Sequence, residues 1–212
     1  MIRLVCALIV SYLIGSIPTA YLLVKRLKGV DVRTVGSGNV GATNVTRAAG
    51  LAAGSVVFLV DLAKGWVAAA VIAPWLNPHA SMTARLACGL FAVIGHTAPI
   101  WLRFQGGKGV ATTIGALLGA APMVAAVYLM TWAIVALISR YVSAGSLLAA
   151  ASIPIAQAAL RRPGSEIVFG GLLTLLIVVR HHANITRLLQ GTEPRIGHPR
   201  SNSRVDEPDR IS

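Results

Sequence analysis

The run GVATTIGALLGAAPMVAAVYLMTWAIVALIS, residues 109–139, holds 31 residues without one charge. An α-helix needs about 20 apolar residues to cross a bilayer, so this stretch is too long for one comfortable span and short for two. Gly119-Ala120-Ala121-Pro122 lies near its middle, and Gly and Pro there are turn signals. The remaining apolar runs are Leu4–Val24, Ala48 to about Trp75 (interrupted by Asp61 and Lys64), Leu86–Leu102, Tyr141–Leu160 and Ile167–Val179. If 109–139 crosses twice, fourteen Lys and Arg fall on the side holding Lys25 and four (Arg3, Arg85, Arg161, Arg162) on the other, whereas one crossing splits them nine to nine. Cations gather on the cytoplasmic side of a membrane protein, so the sequence predicts two crossings. The fold class that follows is an all-α, polytopic integral membrane protein of about seven transmembrane helices, with the N-terminus outside and the C-terminus cytoplasmic. Two of the helices are short, which is the behaviour of half-buried or broken helices around a polar site.

The composition of the 212-residue chain agrees. Charged residues are 12% and apolar ones 55%, with a mean hydropathy of +0.71. A soluble core of this size cannot hide so much apolar surface, which excludes a disordered chain, a disulfide scaffold and most soluble enzymes. The formal charge of +12 would point to nucleic acid in a soluble protein, but the cations sit at the ends of apolar runs, as topology signals and attractors of anionic headgroups do. Cys6 and Cys88 lie inside apolar runs, and neither their spacing nor any His/Cys/Asp cluster suggests a metal site. Residues 1–193 read as one membrane domain. Residues 194–212 hold three Pro and no aromatic residue and read as a cytoplasmic tail that is disordered in water.

The predicted topology places three polar segments on one membrane face. The first is Gly36-Ser37-Gly38-Asn39-Val40-Gly41-Ala42-Thr43-Asn44 with Arg47 beyond. It matches G-x-G-x-x-G in form, yet no strand precedes it, so a dinucleotide site is a weak reading. Its glycines still let backbone N–H groups approach an anion, and Arg47 is placed to clamp a phosphate. The second is Phe104-Gln105-Gly106-Gly107-Lys108-Gly109. It lacks the first Gly and the Ser or Thr of a Walker motif, but a Gly-flanked Lys at a helix head is an anion site in its own right. The third runs from Arg180-His181-His182 through Asn184 to Gly191 and Glu193. The last span is expected to continue here as a helix, with His181 and Asn184 on one face and a C-cap at Gly191. Asp61 and Lys64, three apart inside a span, are expected to form a buried ion pair.

Gly15-Ser16-Ile17-Pro18, Gly36-Ser37-Gly38-Asn39-x-Gly41-x-Thr43-Asn44-x-x-Arg47, Asp61-x-x-Lys64-Gly65, Gly95-His96, Gly106-Gly107-Lys108-Gly109-Val110-Ala111-Thr112 and His181-x-x-Asn184-x-x-Arg187-Leu188-x-x-Gly191-x-Glu193 occur in that order. Together they closely resemble the bacterial acyl-phosphate:glycerol-3-phosphate acyltransferase family of integral membrane proteins. The resemblance covers residues 1–193 and implies a cytoplasmic-membrane enzyme needing no cofactor. It implies transfer of an acyl group from acyl phosphate to the 1-hydroxyl of glycerol 3-phosphate, giving lysophosphatidic acid and phosphate. By the same resemblance Ser37, Arg47, Lys108, His181 and Asn184 are catalytic. Gly36, Gly38, Asn39, Thr43, Gly106, Gly107 and Ser146 would bind substrate, and Asp61, Lys64 and Glu193 would be structural. The expected partners are the two phosphate-bearing substrates and membrane lipid, with no nucleic acid; a monomer is compatible with this. His181 is the side-chain candidate for the base, and a substrate phosphate is the other. A small-anion transporter is the rival class, since short apolar helices beside a basic polar face suit one.

Overall fold

The computed structural model describes residues 2–76 and 78–197. Each apolar run is helical. The elements are α1 (Ile2–Ser16), α2 (Thr19–Lys28), α3 (Ala42–Ala49), α4 (Leu51–Leu76), α5 (Met82–Thr97), α6 (Val110–Ala120), α7 (Pro122–Ser139), α8 (Val142–Ala159), α9 (Gly164–Arg180) and α10 (His182–Leu189). Ile2–Lys28, Leu51–Leu76, Met82–Leu102, Pro122–Ser139 and Val142–Ala159 are long and apolar enough to cross a membrane. The pair α9 and α10 forms a sixth candidate, and α6 is a shorter apolar helix. The all-α membrane fold is thus present. At about 1.5 Å per residue α6 is roughly half as long as a bilayer core is thick.

The 109–139 run breaks where its Gly-Ala-Ala-Pro was expected to turn. Ala121 leaves the helical region at φ −142°, ψ 71°, and Pro122 opens α7 in the first turn, where its missing N–H costs nothing. The expectation of one continuous helix at the C-terminal end needs correction. The chain bends by 64° between α9 and α10. No Pro or Gly stands there to announce it. The bend swings α10 across the polar rim, where Asn184 and Arg187 find partners outside their own helix.

α6 is the hub, and seven of its eleven residues are buried. It packs between α4 and α5 and touches α7. Two helix pairs approach through reciprocal glycines. A Cβ on Gly65 of α4 would strike the Thr112 carbonyl of α6, and one on Gly115 of α6 would strike the Leu62 carbonyl of α4. Gly15 of α1 lies on the Ala92 carbonyl of α5, and Gly95 of α5 lies on the Tyr12 carbonyl of α1. Without a hydrophobic drive between helices in lipid, such close backbone contact is a main source of packing energy. The outer surface carries Leu59, Trp66, Met130, Leu137, Ile138 and Ile155, all exposed and suited to lipid.

The reading of 194–212 as a disordered tail falls mostly outside the described residues. Within them, the Ile196 N–H donates to the Arg140 carbonyl at 2.8 Å and Arg195 Nε donates to the Tyr141 hydroxyl at 2.9 Å.

Gly65→Ala should cost about 1–3 kcal/mol through the forced separation of α4 from α6. Gly171→Ala, at a position open to 4 Å, should change stability by no more than about 0.5 kcal/mol. Thermal unfolding of the detergent-purified protein checks the difference.

Candidate active site

The three polar segments meet at one end of the bundle. They line a cavity of about 400 Å³ with Ser37, Gly38 and Asn39 on one wall, Phe104–Gly106 and Lys108 on a second, and His182–Asn184 and Arg187 on a third. Arg33 and Arg180 complete the lining. The size suits a small polar ligand, and the cations make it an anion site.

The first wall is built by Asn44, which α3 buries almost completely. Its Nδ2 donates to the Val32 and Val35 carbonyls at 3.1 and 3.0 Å, and its Oδ1 accepts the Ser37 N–H at 2.9 Å. Gly36 must be a glycine because a Cβ would collide with that same Oδ1, and its φ of +59° is left-handed. The N–H groups of Ser37, Gly38 and Gly41 are all spent on internal acceptors. Those three amides therefore serve the loop's own shape, and the wall presents the side chains of Ser37 and Asn39 to a ligand. Thr43 and Arg47 sit on α3, exposed and outside the cavity lining, although Arg47 lies close enough for its charge to act on Lys108.

On the second wall Gly106 lines the cavity and Gly107 lies behind it. Their N–H groups donate to the Thr97 and His96 carbonyls at 3.2 and 3.1 Å, satisfying the end of α5. Their carbonyls accept from Arg180, Gly106 at 2.8 Å and Gly107 at 3.1 Å. Neither amide is free for phosphate. Side chains are excluded here because a Cβ on Gly106 would meet the His96 carbonyl, and one on Gly107 the His96 ring and the Val40 carbonyl. The result is that Lys108 is delivered, half-buried, into the cavity.

On the third wall the Lys108 ammonium donates to Asn184 Oδ1. Asn184 Nδ2 donates to Glu193 Oε1 at 2.6 Å, which fixes the amide so that its oxygen faces the lysine. Glu193 also accepts from the Ser143 hydroxyl at 2.7 Å and from Arg187 Nε at 2.6 Å. It closes α10 onto α8. Burial pushes the Glu193 carboxyl up, but the bonds from Asn184, Ser143 and Arg187 outweigh it and hold it below the usual range. Lys108 moves down to about 8. Burial is the first cause, opposed by Glu193 and reinforced by Arg187, Arg47 and Arg180.

His181 is buried and does not line the cavity. Its Nδ1 lies 2.8 Å from the Ile177 carbonyl. A carbonyl only accepts, so Nδ1 carries the proton and Nε2 holds the lone pair of the neutral ring. His182 lines the cavity instead. Ser146 is also buried away from it: its hydroxyl donates to the Val142 carbonyl at 2.9 Å and receives Trp132 Nε1 at 3.3 Å. Asp61 and Lys64 do pair, at 2.6 Å, deep between helices. Sequence reasoning passed over Asn44, Arg33 and Arg180 as site residues. Arg180 carried a signal, as a cation ending a span directly before His181. Arg33, paired with Asp31 at 2.6 Å, carried none beyond its charge.

A bundle of apolar helices with a cationic, half-buried anion cavity at one end defines an integral membrane protein that handles a small anionic substrate. The sequence pattern of the family described as Glycerol-3-phosphate acyltransferase matches residues 5–191. A protein of that name from Sinorhizobium medicae is 44% identical over 190 residues, covering 90% of this chain and 91% of its own. One from Gloeobacter violaceus is 43% identical over 195 residues, covering 89% and 93%. The crystal structure of PlsY (YgiH), an integral membrane glycerol 3-phosphate acyltransferase in its glycerol 3-phosphate form, superposes with a TM-score of 0.84 at 40% identity, covering 92% of this chain and 96% of that one. Its lysophosphatidic acid form gives 0.81, covering 92% and 95%. The chain belongs to the glycerol-3-phosphate acyltransferase family and is an acyltransferase.

Asn44→Ala should release the Ser37 N–H and two carbonyls at once and lower acyltransfer about tenfold or more, a scale set by misplacement of a positioned group. Thr46→Ala, on the same helix, should leave activity within about twofold. Steady-state kinetics of the purified variants checks this.

Proposed function

We propose that the chain transfers an acyl group from acyl phosphate to the 1-hydroxyl of glycerol 3-phosphate, at a site facing the cytoplasm of a bacterial inner membrane. The single observation that carries this reading is the Lys108–Asn184–Glu193 chain at the floor of a cationic cavity beside Ser37. Lysophosphatidic acid and inorganic phosphate are the products. The cytoplasmic orientation, with the N-terminus outside, rests on the fourteen-to-four distribution of cations.

Acyl phosphate is a mixed anhydride, so its leaving group departs without prior protonation. The site has to hold two phosphate-bearing molecules together and stabilise charge on the carbonyl oxygen. Lys108 and Arg180 meet neutral oxygen acceptors rather than carboxylate ion-pair partners among the described residues. Their charge is thus available to phosphate. Ser37 offers its hydroxyl as a donor to phosphate or oxyanion, and among the described residues no activating partner supports a role as nucleophile. Asn184, locked by Glu193, positions Lys108. The glycerol hydroxyl oxygen forms the new ester bond as the carbonyl–phosphate bond breaks, and the hydroxyl proton leaves on the released phosphate. A phosphate acceptor fits a cavity with no carboxylate among its described lining residues and with the family histidine, His181, buried behind it. His181 then braces the end of α9. The acyl chain is held by lipid-facing apolar surface, so membrane lipid is the surrounding partner.

Phosphate release by the detergent-purified protein should require both acyl phosphate and glycerol 3-phosphate, and acyl-CoA should not replace the donor. Transport of labelled glycerol phosphate into liposomes without acylation would instead select the transporter. Lys108→Ala should lose about a hundredfold or more in kcat/KM, and His181→Ala distinctly less at saturating substrate. Above pH 8 the free Lys108 loses its proton, so kcat/KM should fall through that pH. A bound dianion favours the charged form, so kcat should fall at higher pH. Lys108→Arg, charged throughout, should remove the limb.

A further inference from the structure

The acyl-transfer reading leaves unused the buried cluster between α4 and α5. Asp61 Oδ1 accepts from Lys64 Nζ at 2.6 Å and lies 3.6 Å from His96 Nδ1. Lys64 Nζ also donates at 2.7 Å to the carbonyl of Ile17, at the break between α1 and α2. The other edge of the His96 ring presses on Gly107: a Cβ there would collide with His96 Nε2. The His96 carbonyl takes the Gly107 N–H, and the next carbonyl, that of Thr97, takes the Gly106 N–H. One continuous line of contacts thus runs from the α1–α2 break, through a charge pair buried in the bundle, to the peptide that precedes Lys108. A pair this deeply desolvated contributes little net stability compared with apolar residues of the same volume, so its stability value alone is a poor account of its presence.

We propose that His96, oriented by the Asp61–Lys64 pair, is a positioning residue that sets the height of the Gly106–Lys108 run and thereby the reach of the Lys108 ammonium into the cavity. This rests on the proposal that Lys108 binds substrate phosphate. His96 touches no cavity space and acts only through the glycine run. The ring fills the volume against Gly107, and its Nδ1 edge faces the Asp61 carboxylate at 3.6 Å. The Arg180 guanidinium holds the same two peptides from the opposite side, so losing the ring lets the run settle toward α5 and pulls Lys108 away from its ligand.

The test is a double-mutant cycle on the full chain purified in detergent, with melting temperature read in parallel. His96→Ala should lower kcat/KM about tenfold to a hundredfold, with His96→Asn, which keeps a donor near the Nδ1 position, restoring most of it. In a Lys108→Arg background, whose guanidinium no longer depends on that placement, His96→Ala should cost no more than about twofold. Equal activity of His96→Ala and wild type would overturn the proposal, as would losses that multiply in full between the two sites. If His96→Ala does not fold, His96→Asn and His96→Gln take its place, since Gln mimics the far edge of the ring. Asn should then be the more active, and equality overturns the proposal. A wild-type protein that fails to acylate glycerol 3-phosphate would instead overturn the functional reading beneath it.

Discussion

The polar end of this molecule is organised around one half-buried ammonium. Lys108 is placed in a region where burial disfavours its charge, and the surrounding structure works to keep it there. Glu193 turns the Asn184 amide, Asn184 offers its oxygen to the lysine, and the glycine run before it is gripped from both sides. A lysine left free on a four-carbon stem would retreat to water and bind phosphate weakly. A lysine held in this way loses hydration in advance and regains it as interaction with an anion, which is the form of preorganisation that electrostatic catalysis needs.

That arrangement explains why the bundle has one short helix at its centre. α6 starts immediately after Gly109, which adopts the left-handed φ of +83°, and it runs inward from the cavity against α4 and α5. The close approach at Gly65 and Gly115 fixes its depth. Depth of α6 and position of Lys108 are therefore one quantity, set by backbone contact within the bundle. Glu193 ties the other side, joining α10 to α8 through Ser143.

Much of this was legible in the sequence, for definite reasons. The uncharged length of 109–139 and its Gly-Ala-Ala-Pro gave the split between α6 and α7, because hydropathy and turn chemistry are local. Asp61 and Lys64 were readable as a pair from their helical spacing. The roles of Gly106 and Gly107 were not, because a glycine looks the same whether it exposes an amide to a ligand or makes room for a neighbour. Only the distant partners, His96, Thr97 and Arg180, decide that. The bend between α9 and α10 was hidden for the same reason, since no Pro or Gly marks it and tertiary contacts turn it. Asn44 stood inside a quoted motif, but its three bonds reach back 7 to 12 residues, and spacing alone cannot assign them.

Ser37, Gln105 and Ala183, far apart in the chain, line one cavity, so all three must be reached from the same side of the membrane. Vesicles carrying Ser37→Cys, Gln105→Cys or Ala183→Cys, each in a background lacking Cys6 and Cys88, allow a direct measurement with a membrane-impermeant maleimide. All three cysteines should label from the cytoplasmic side only, and glycerol 3-phosphate should slow each reaction. Labelling of any one of them from the opposite side would contradict the account.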